Sequence, residues 1–219
     1  MCTATRSDRR HHGRMHPADR AAHWDLAYAK GDRTRSWFEQ HPTASLRLLD
    51  AAGITPGDSI IDIGGGASPL VDTLLSRGHR DLTVLDISAT ALRLAQHRLG
   101  SAERGVEWIV ADLLSWRPAR TYAVWHDRAV FHFVTTDRDK DRYLAALESA
   151  TKTSSVAIFG CFAPDGPTSC SGLPVSRYSA ENLAATLGDR WVLTVSEREQ
   201  HQTPAGGSQP FTWAAFLRL

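Results

Sequence analysis

The 219-residue chain is 42% hydrophobic and carries 25 Lys+Arg against 24 Asp+Glu, a net charge of +1. That length buries one sizeable core and excludes two full domains, while the charge balance offers no global field to gather nucleic acid or an anionic membrane. Cys2, Cys161 and Cys170 form no CxxC pair and leave an odd thiol, so a reducing, cytoplasmic setting is expected rather than a disulfide framework.

In chain order, residues 1–20 are rich in Arg and His and lack the apolar run of a signal peptide, which predicts a mobile tail. His11, His12 and His16 carry ligating side chains, but a solvated segment explains them better, and no metal is expected. Between residues 21 and 53 the apolar positions Trp24, Tyr28, Trp37, Phe38, Leu46, Leu48 and Leu49 predict a helical cap in two pieces around a loop at 30–36.

From residue 54 onward strand and helix patterns alternate, which predicts an α/β, doubly wound sheet covered on both faces. Strands are expected over 58–63, 82–86, 106–110, 121–126 and 154–162, and helices over 69–77, 89–99 and 137–150. Residues 163–178 hold prolines and glycines too irregular for either element and read as an active-site loop. A short helix over 180–187 leads to strand-like runs at 191–198 and 211–219, one of which must run antiparallel at or near the sheet edge. No apolar stretch approaches membrane-spanning length, and no membrane partner is expected.

The first strand ends in Asp62-Ile63-Gly64-Gly65-Gly66-Ala67-Ser68, where glycines let backbone approach a nucleotide-like ligand. A dinucleotide fingerprint counted from Gly64 requires a third glycine where Pro69 stands, which disfavours a nicotinamide cofactor. The second strand ends at Asp86, followed by Ile87 and Ser88, and the third ends in Ala111-Asp112-Leu113. Singly, a strand-ending Asp is as often a helix cap as a ligand group; three at successive strand ends form a pattern.

That pattern, acidic-x-Gly-x-Gly with Asp86 and Asp112 beyond it, resembles class I S-adenosylmethionine-dependent methyltransferases over about residues 24–219. The resemblance implies a Rossmann-like, seven-stranded mixed sheet of order 3-2-1-4-5-7-6 with the last strand antiparallel. It implies that Asp62, Ile63, Gly64, Gly65, Gly66 and Ser68 cradle the amino-acid end of S-adenosylmethionine. Asp86, Ile87 and Ser88 would take the ribose, and Ala111, Asp112 and Leu113 the adenine. Ser68 stands where many relatives have glycine and is expected to cap the following helix. The segment 23–38 looks like the cap of small-molecule and protein-lysine methyltransferases. Trp37 is expected to wall the cofactor pocket, while Trp24 and Tyr28 serve equally well in a core.

The fourth strand points at the transferred methyl and continues Trp125-His126-Asp127-Arg128-Ala129-Val130-Phe131-His132. The Asp-Pro-Pro-Tyr type motif of amino-methylating nucleic-acid enzymes is absent there, and Asp127-Arg128 resembles thiopurine-type S-methyltransferases. His126 and His132 are candidate general bases because imidazole titrates near neutrality, and His126 also adjoins the cofactor. Asp127 and Arg128 are candidate catalytic residues, with a structural ion pair as the alternative. Arg128, Phe131, Cys161, Phe162, Tyr178 and His201 are the expected acceptor wall; Cys161 and Cys170 alternatively pack as structural thiols. The expected activity is methyl transfer to O, N or S of a small-molecule acceptor, leaving S-adenosylhomocysteine, by a monomer or weak homodimer without nucleic acid. Protein-lysine methylation and a non-catalytic S-adenosylmethionine-binding module are the alternatives.

Overall fold

The computed structural model describes residues 16–29, 31 and 34–219. The expected tail lies outside the described residues as far as residue 15, with Cys2, His11 and His12. Its last residues do not continue a tail: helix α1 runs Pro17–Ala29, beginning on a proline, which suits a first helical turn. Helix α2 follows at Thr43–Ala51 with Ala44, Ser45, Leu48 and Leu49 on its buried side.

The βα repeat then gives β1 Ile60–Ile63, α3 Leu70–Ser76, β2 Leu82–Asp86, α4 Ala89–Leu99, β3 Val106–Val110, β4 Val124–Arg128, α5 Asp137–Ala150 and β5 Val156–Phe162. A two-residue hairpin, β6 Ser169–Cys170 and β7 Leu173–Pro174, interrupts the expected loop. Helix α6 spans Ala180–Leu187, and the chain ends in β8 Trp191–Gln202 and β9 Ser208–Arg218. β4 starts and ends later than its apolar run suggested, because pairing begins where Val124 meets Ile60 of β1; His126, Asp127 and Arg128 therefore lie within the strand.

The main sheet has order β3-β2-β1-β4-β5-β9-β8, as expected once the short hairpin is set aside. β1 to β5 are parallel, and β9 enters antiparallel between β5 and the edge strand β8. Alternation along each strand feeds two cores. Ile61, Ile63, Trp125 and Phe159 pack with α5 and α6 residues on one face, while Ile60, Val84, Val124 and Ile158 pack with α2 and α3 residues on the other. Among the described residues, no helix is long and apolar enough to cross a membrane.

Candidate functional site

A cavity of about 220 Å³ lies beyond the carboxyl ends of β1 to β4 and under α1. This is the switch point of the sheet, where β1 pairs with β2 on one side and β4 on the other, and where open α/β sheets bind ligands. Asp62, Asp86 and Asp112 all line it, as do Ile63, Gly64, Gly65, Ser68, Ile87, Ala111 and Leu113.

The glycine loop admits no side chain. A Cβ on Gly64, whose φ is +62°, would lie 2.0 Å from Val130 Cγ2, and one on Gly65 would lie 2.5 Å from Asp62 Oδ2. Gly66 has φ +49° and packs beneath Tyr28 and Asp86 rather than in the cavity lining. Ser68 Oγ accepts from Leu70 N at 3.2 Å, tying the loop to the start of α3.

Asp86 is 7% exposed, and Oδ1 accepts from Ser88 N at 2.7 Å. Burial, reinforced by the nearby Asp62 and Asp25 carboxylates, pushes its carboxyl up to about 7. Ser88 turns away from the cavity: its hydroxyl accepts from Ala91 N to cap α4 and donates to Asp25 Oδ1 at 2.7 Å. Asp25 also accepts from Thr90 N at 2.9 Å, so α1 is bolted to the N-terminus of α4. Asp112 pairs with Arg20 of α1 and accepts from Leu114 N at 3.1 Å, so this carboxylate already has a cationic partner.

Register sets the next contact. Asp62 of β1 stands opposite His126 of β4, and His126 Nδ1 lies 2.7 Å from Asp62 Oδ1. With Nδ1 donating to the carboxylate, Nε2 accepts from the Ser45 hydroxyl at 2.9 Å. Both ring nitrogens of this 2% exposed histidine are thus engaged, and His126 lines the cavity with its ring held between Asp62 and Ser45.

Asp127 is fully buried and does not line the cavity. It accepts from Tyr143 Oη at 2.5 Å and from the backbone N–H groups of Val130 and Phe131, while burial raises its carboxyl to about 6. It fixes the turn after β4 and forms no ion pair with Arg128. His132 sits in a 3₁₀ turn at Phe131–Phe133, fully buried, with its pKa driven down to about 3 by burial and by Arg128. It does not line the cavity: its Nδ1 accepts from Phe162 N at 3.4 Å, and its ring packs against Phe133 and Phe162.

Of the expected acceptor wall, Arg128 alone lines the cavity. Phe131 packs among Tyr143, Phe159 and Tyr178 in the core; Cys161 and Phe162 are buried along β5. The reason is packing: Cys161 joins the core on one face of the sheet, and Phe162, its neighbour along β5, joins the core on the other. His201 stands just outside the lining, with Nε2 donating to the Ser36 carbonyl at 2.7 Å.

The observed wall is different. Trp24, Trp37 and Phe133 meet edge to face at 5.1–5.7 Å, and Trp37 Nε1 donates to Tyr28 Oη at 3.2 Å. Arg128 Nη1 donates to the Trp37 carbonyl at 2.9 Å, and Nη2 lies 2.8 Å from Glu39 Oε1. Glu39 and Cys170 complete this polar end, and Ala129 beside them holds φ +67°, a strained backbone at the tip of β4. Arg20, Phe38 and Glu39 escaped sequence reasoning because no local pattern marks a cap residue that folds over the sheet.

A family model for a methyltransferase domain matches residues 60–154. Among solved structures, an S-adenosylmethionine-dependent methyltransferase from Anabaena variabilis superposes with a TM-score of 0.70 at 13% identity, covering 93% of this chain and 95% of that one. The N-methyltransferase NodS from Bradyrhizobium japonicum, in complex with S-adenosylhomocysteine, gives 0.67 at 14% identity over 90% and 98%. The 1,6-didemethyltoxoflavin-N1-methyltransferase of Burkholderia thailandensis gives 0.65 at 18% over 92% and 86%. No curated protein matches by sequence. Residues 60–154 thus match a methyltransferase domain, and the whole sheet has the order and strand directions of the Rossmann-like methyltransferase fold.

Proposed function

We propose that the chain transfers a methyl group from S-adenosylmethionine to an oxygen, nitrogen or sulfur atom of a small molecule. The observation that carries this reading is the convergence of Asp62, Asp86 and Asp112, from three successive strand ends, on one cavity floored by side-chain-free glycines. The residues present fit that donor. Gly64 and Gly65 leave room only for backbone, and Asp86 is a buried carboxylate that ribose hydroxyls would relieve by donating to it.

S-adenosylmethionine brings an electrophilic methyl on a sulfonium. The chain's part is positioning and exclusion of water. Asp62, held by His126, faces the ligand's amino group; Asp86 accepts the ribose hydroxyls; Asp112 and Leu113 meet the adenine edge and face, with Arg20 sharing the Asp112 carboxylate. Trp24, Trp37 and Phe133 close the cavity under α1, and Arg128, Glu39 and Cys170 present polar atoms to an acceptor. Neither His126 nor His132 offers the cavity a base, so an acceptor presented as amine or thiolate suits this site better than an alcohol.

The cap covers part of the cavity, and the +1 net charge announces no macromolecular partner, which supports a small acceptor. A panel of amines, thiols and phenols scored by S-adenosylhomocysteine release tests the reading. Turnover with an extractable acceptor is expected; methyl label appearing only in acid-insoluble protein would contradict it.

A further inference from the structure

A set of side chains beside the cavity has the makings of a metal centre. Glu199 and His201 stand two residues apart on β8 and so project to the same face. Glu39 reaches them from the segment between α1 and α2, and one ligand atom from each of the three residues falls within 4.8 Å of the others.

The histidine decides what kind of cluster this is. His201 is 4% exposed, and its Nε2 lies 2.7 Å from the Ser36 carbonyl oxygen. A carbonyl only accepts, so Nε2 bears the proton and Nδ1 presents a lone pair. That lone pair faces Glu39 Oε1 at 3.6 Å, beyond hydrogen-bond distance, with Glu199 alongside. A lone pair directed at two carboxylates repels them unless a positive centre lies between.

Both carboxylates are also held by donors. Glu199 Oε2 accepts from Trp213 Nε1 at 2.6 Å, and Arg128 Nη2 stands 2.8 Å from Glu39 Oε1, the oxygen nearest His201. An imidazole anchored through its other N–H to a backbone carbonyl, beside carboxylates oriented by donors, is the outer-layer arrangement that metal ligands require. Two carboxylates against one guanidinium leave a local charge of −1, attractive to a dication.

We propose that Glu39, Glu199 and His201 bind one divalent transition-metal cation of the zinc class. One imidazole and two carboxylates suit such an ion, with water completing its coordination. The ion would clamp the Ser36–Glu39 segment, and with it the polar end of the cavity, onto β8. The site is independent of the methyl-donor reading, which stands or falls on S-adenosylhomocysteine binding.

The test uses the full chain stripped with chelator and titrated with Zn²⁺ against a chromophoric competitor. One equivalent should bind at about 1 μM or tighter and raise the melting temperature. H201Q and E199Q, each checked by circular dichroism, should weaken that binding at least about 100-fold and abolish the thermal shift. A triple variant His11→Ala, His12→Ala, His16→Ala should keep it. Absence of stoichiometric Zn²⁺ binding, survival of binding in both E199Q and H201Q, or its loss in the tail variant alone would overturn the proposal. Should H201Q fail to fold, E199Q alone separates these outcomes: weakened binding supports the site, and unchanged binding overturns it.

Discussion

Asp86 is where burial and recognition oppose each other. Its carboxyl, raised to about 7 by desolvation and by Asp62 and Asp25, keeps a proton that the unfolded chain would release near 4. The stabilisation from that proton is present below the unfolded pKa and is lost as pH rises through about 7. Ribose hydroxyls favour the carboxylate, so ligand binding lowers this pKa again. S-adenosylhomocysteine affinity should therefore climb between pH 6 and 7 and level off above, with up to about one proton released on binding at pH 6. Calorimetry in buffers of different ionisation enthalpy reads that proton, and D86N should release none. At His126 both nitrogens are engaged, so H126A should weaken S-adenosylhomocysteine binding about tenfold through a misplaced Asp62, while turnover at saturation falls less than about threefold. Intact affinity with collapsed turnover would restore the general-base role. The strand-end aspartates were legible in the sequence because a βα repeat delivers each strand end to one edge of the sheet. Asp127, His132, Phe131 and Cys161 were misplaced for a physical reason: sequence shows proximity to a strand end but not which face a strand residue takes once a turn intervenes.

The cap and the glycine loop are the elements that shape the cavity. α1 is held by Asp25, which accepts from Ser88 and Thr90 at the start of α4, and by the Arg20–Asp112 pair. D25A removes an acceptor from the α4 N-terminus and should lower stability by about 1 kcal/mol in urea unfolding. It should also weaken S-adenosylhomocysteine binding, since Trp24 and Tyr28 of the same helix line the cavity. In the glycine loop, G64A places a Cβ 2.0 Å from Val130 Cγ2 at φ +62° and should lower unfolding free energy by about 2–4 kcal/mol. A stability change below about 0.5 kcal/mol would show that the loop has slack. The helices over 89–99, 137–150 and 180–187 matched their periodic patterns residue for residue, because a Ser or Thr caps each of them. α1 did not, since Asp19 and Arg20 in its first turn give no apolar stripe to announce a helix.

Across the whole molecule, two cores on opposite faces of one sheet flank the β1/β4 switch point, and the cap supplies the outer wall of the cavity. Ligand binding should therefore slow amide exchange in α1 and in the turns after β1, β2 and β3 more than in the β8–β9 hairpin. A largely parallel sheet with an antiparallel strand near its edge was legible from the alternation of elements, and the strand order only through the family resemblance. The contribution of Glu39, Glu199 and His201 was not, because these residues meet only after a cap segment docks on the last hairpin. Whether the strand-end carboxylates hold S-adenosylmethionine is read by titration calorimetry with S-adenosylhomocysteine. The wild-type chain should bind one equivalent saturably, D86A should bind at least about tenfold more weakly, a loss of roughly 1.4 kcal/mol, and NAD should not bind. No binding of S-adenosylhomocysteine, or equal affinity in a folded D86A protein, would contradict the account.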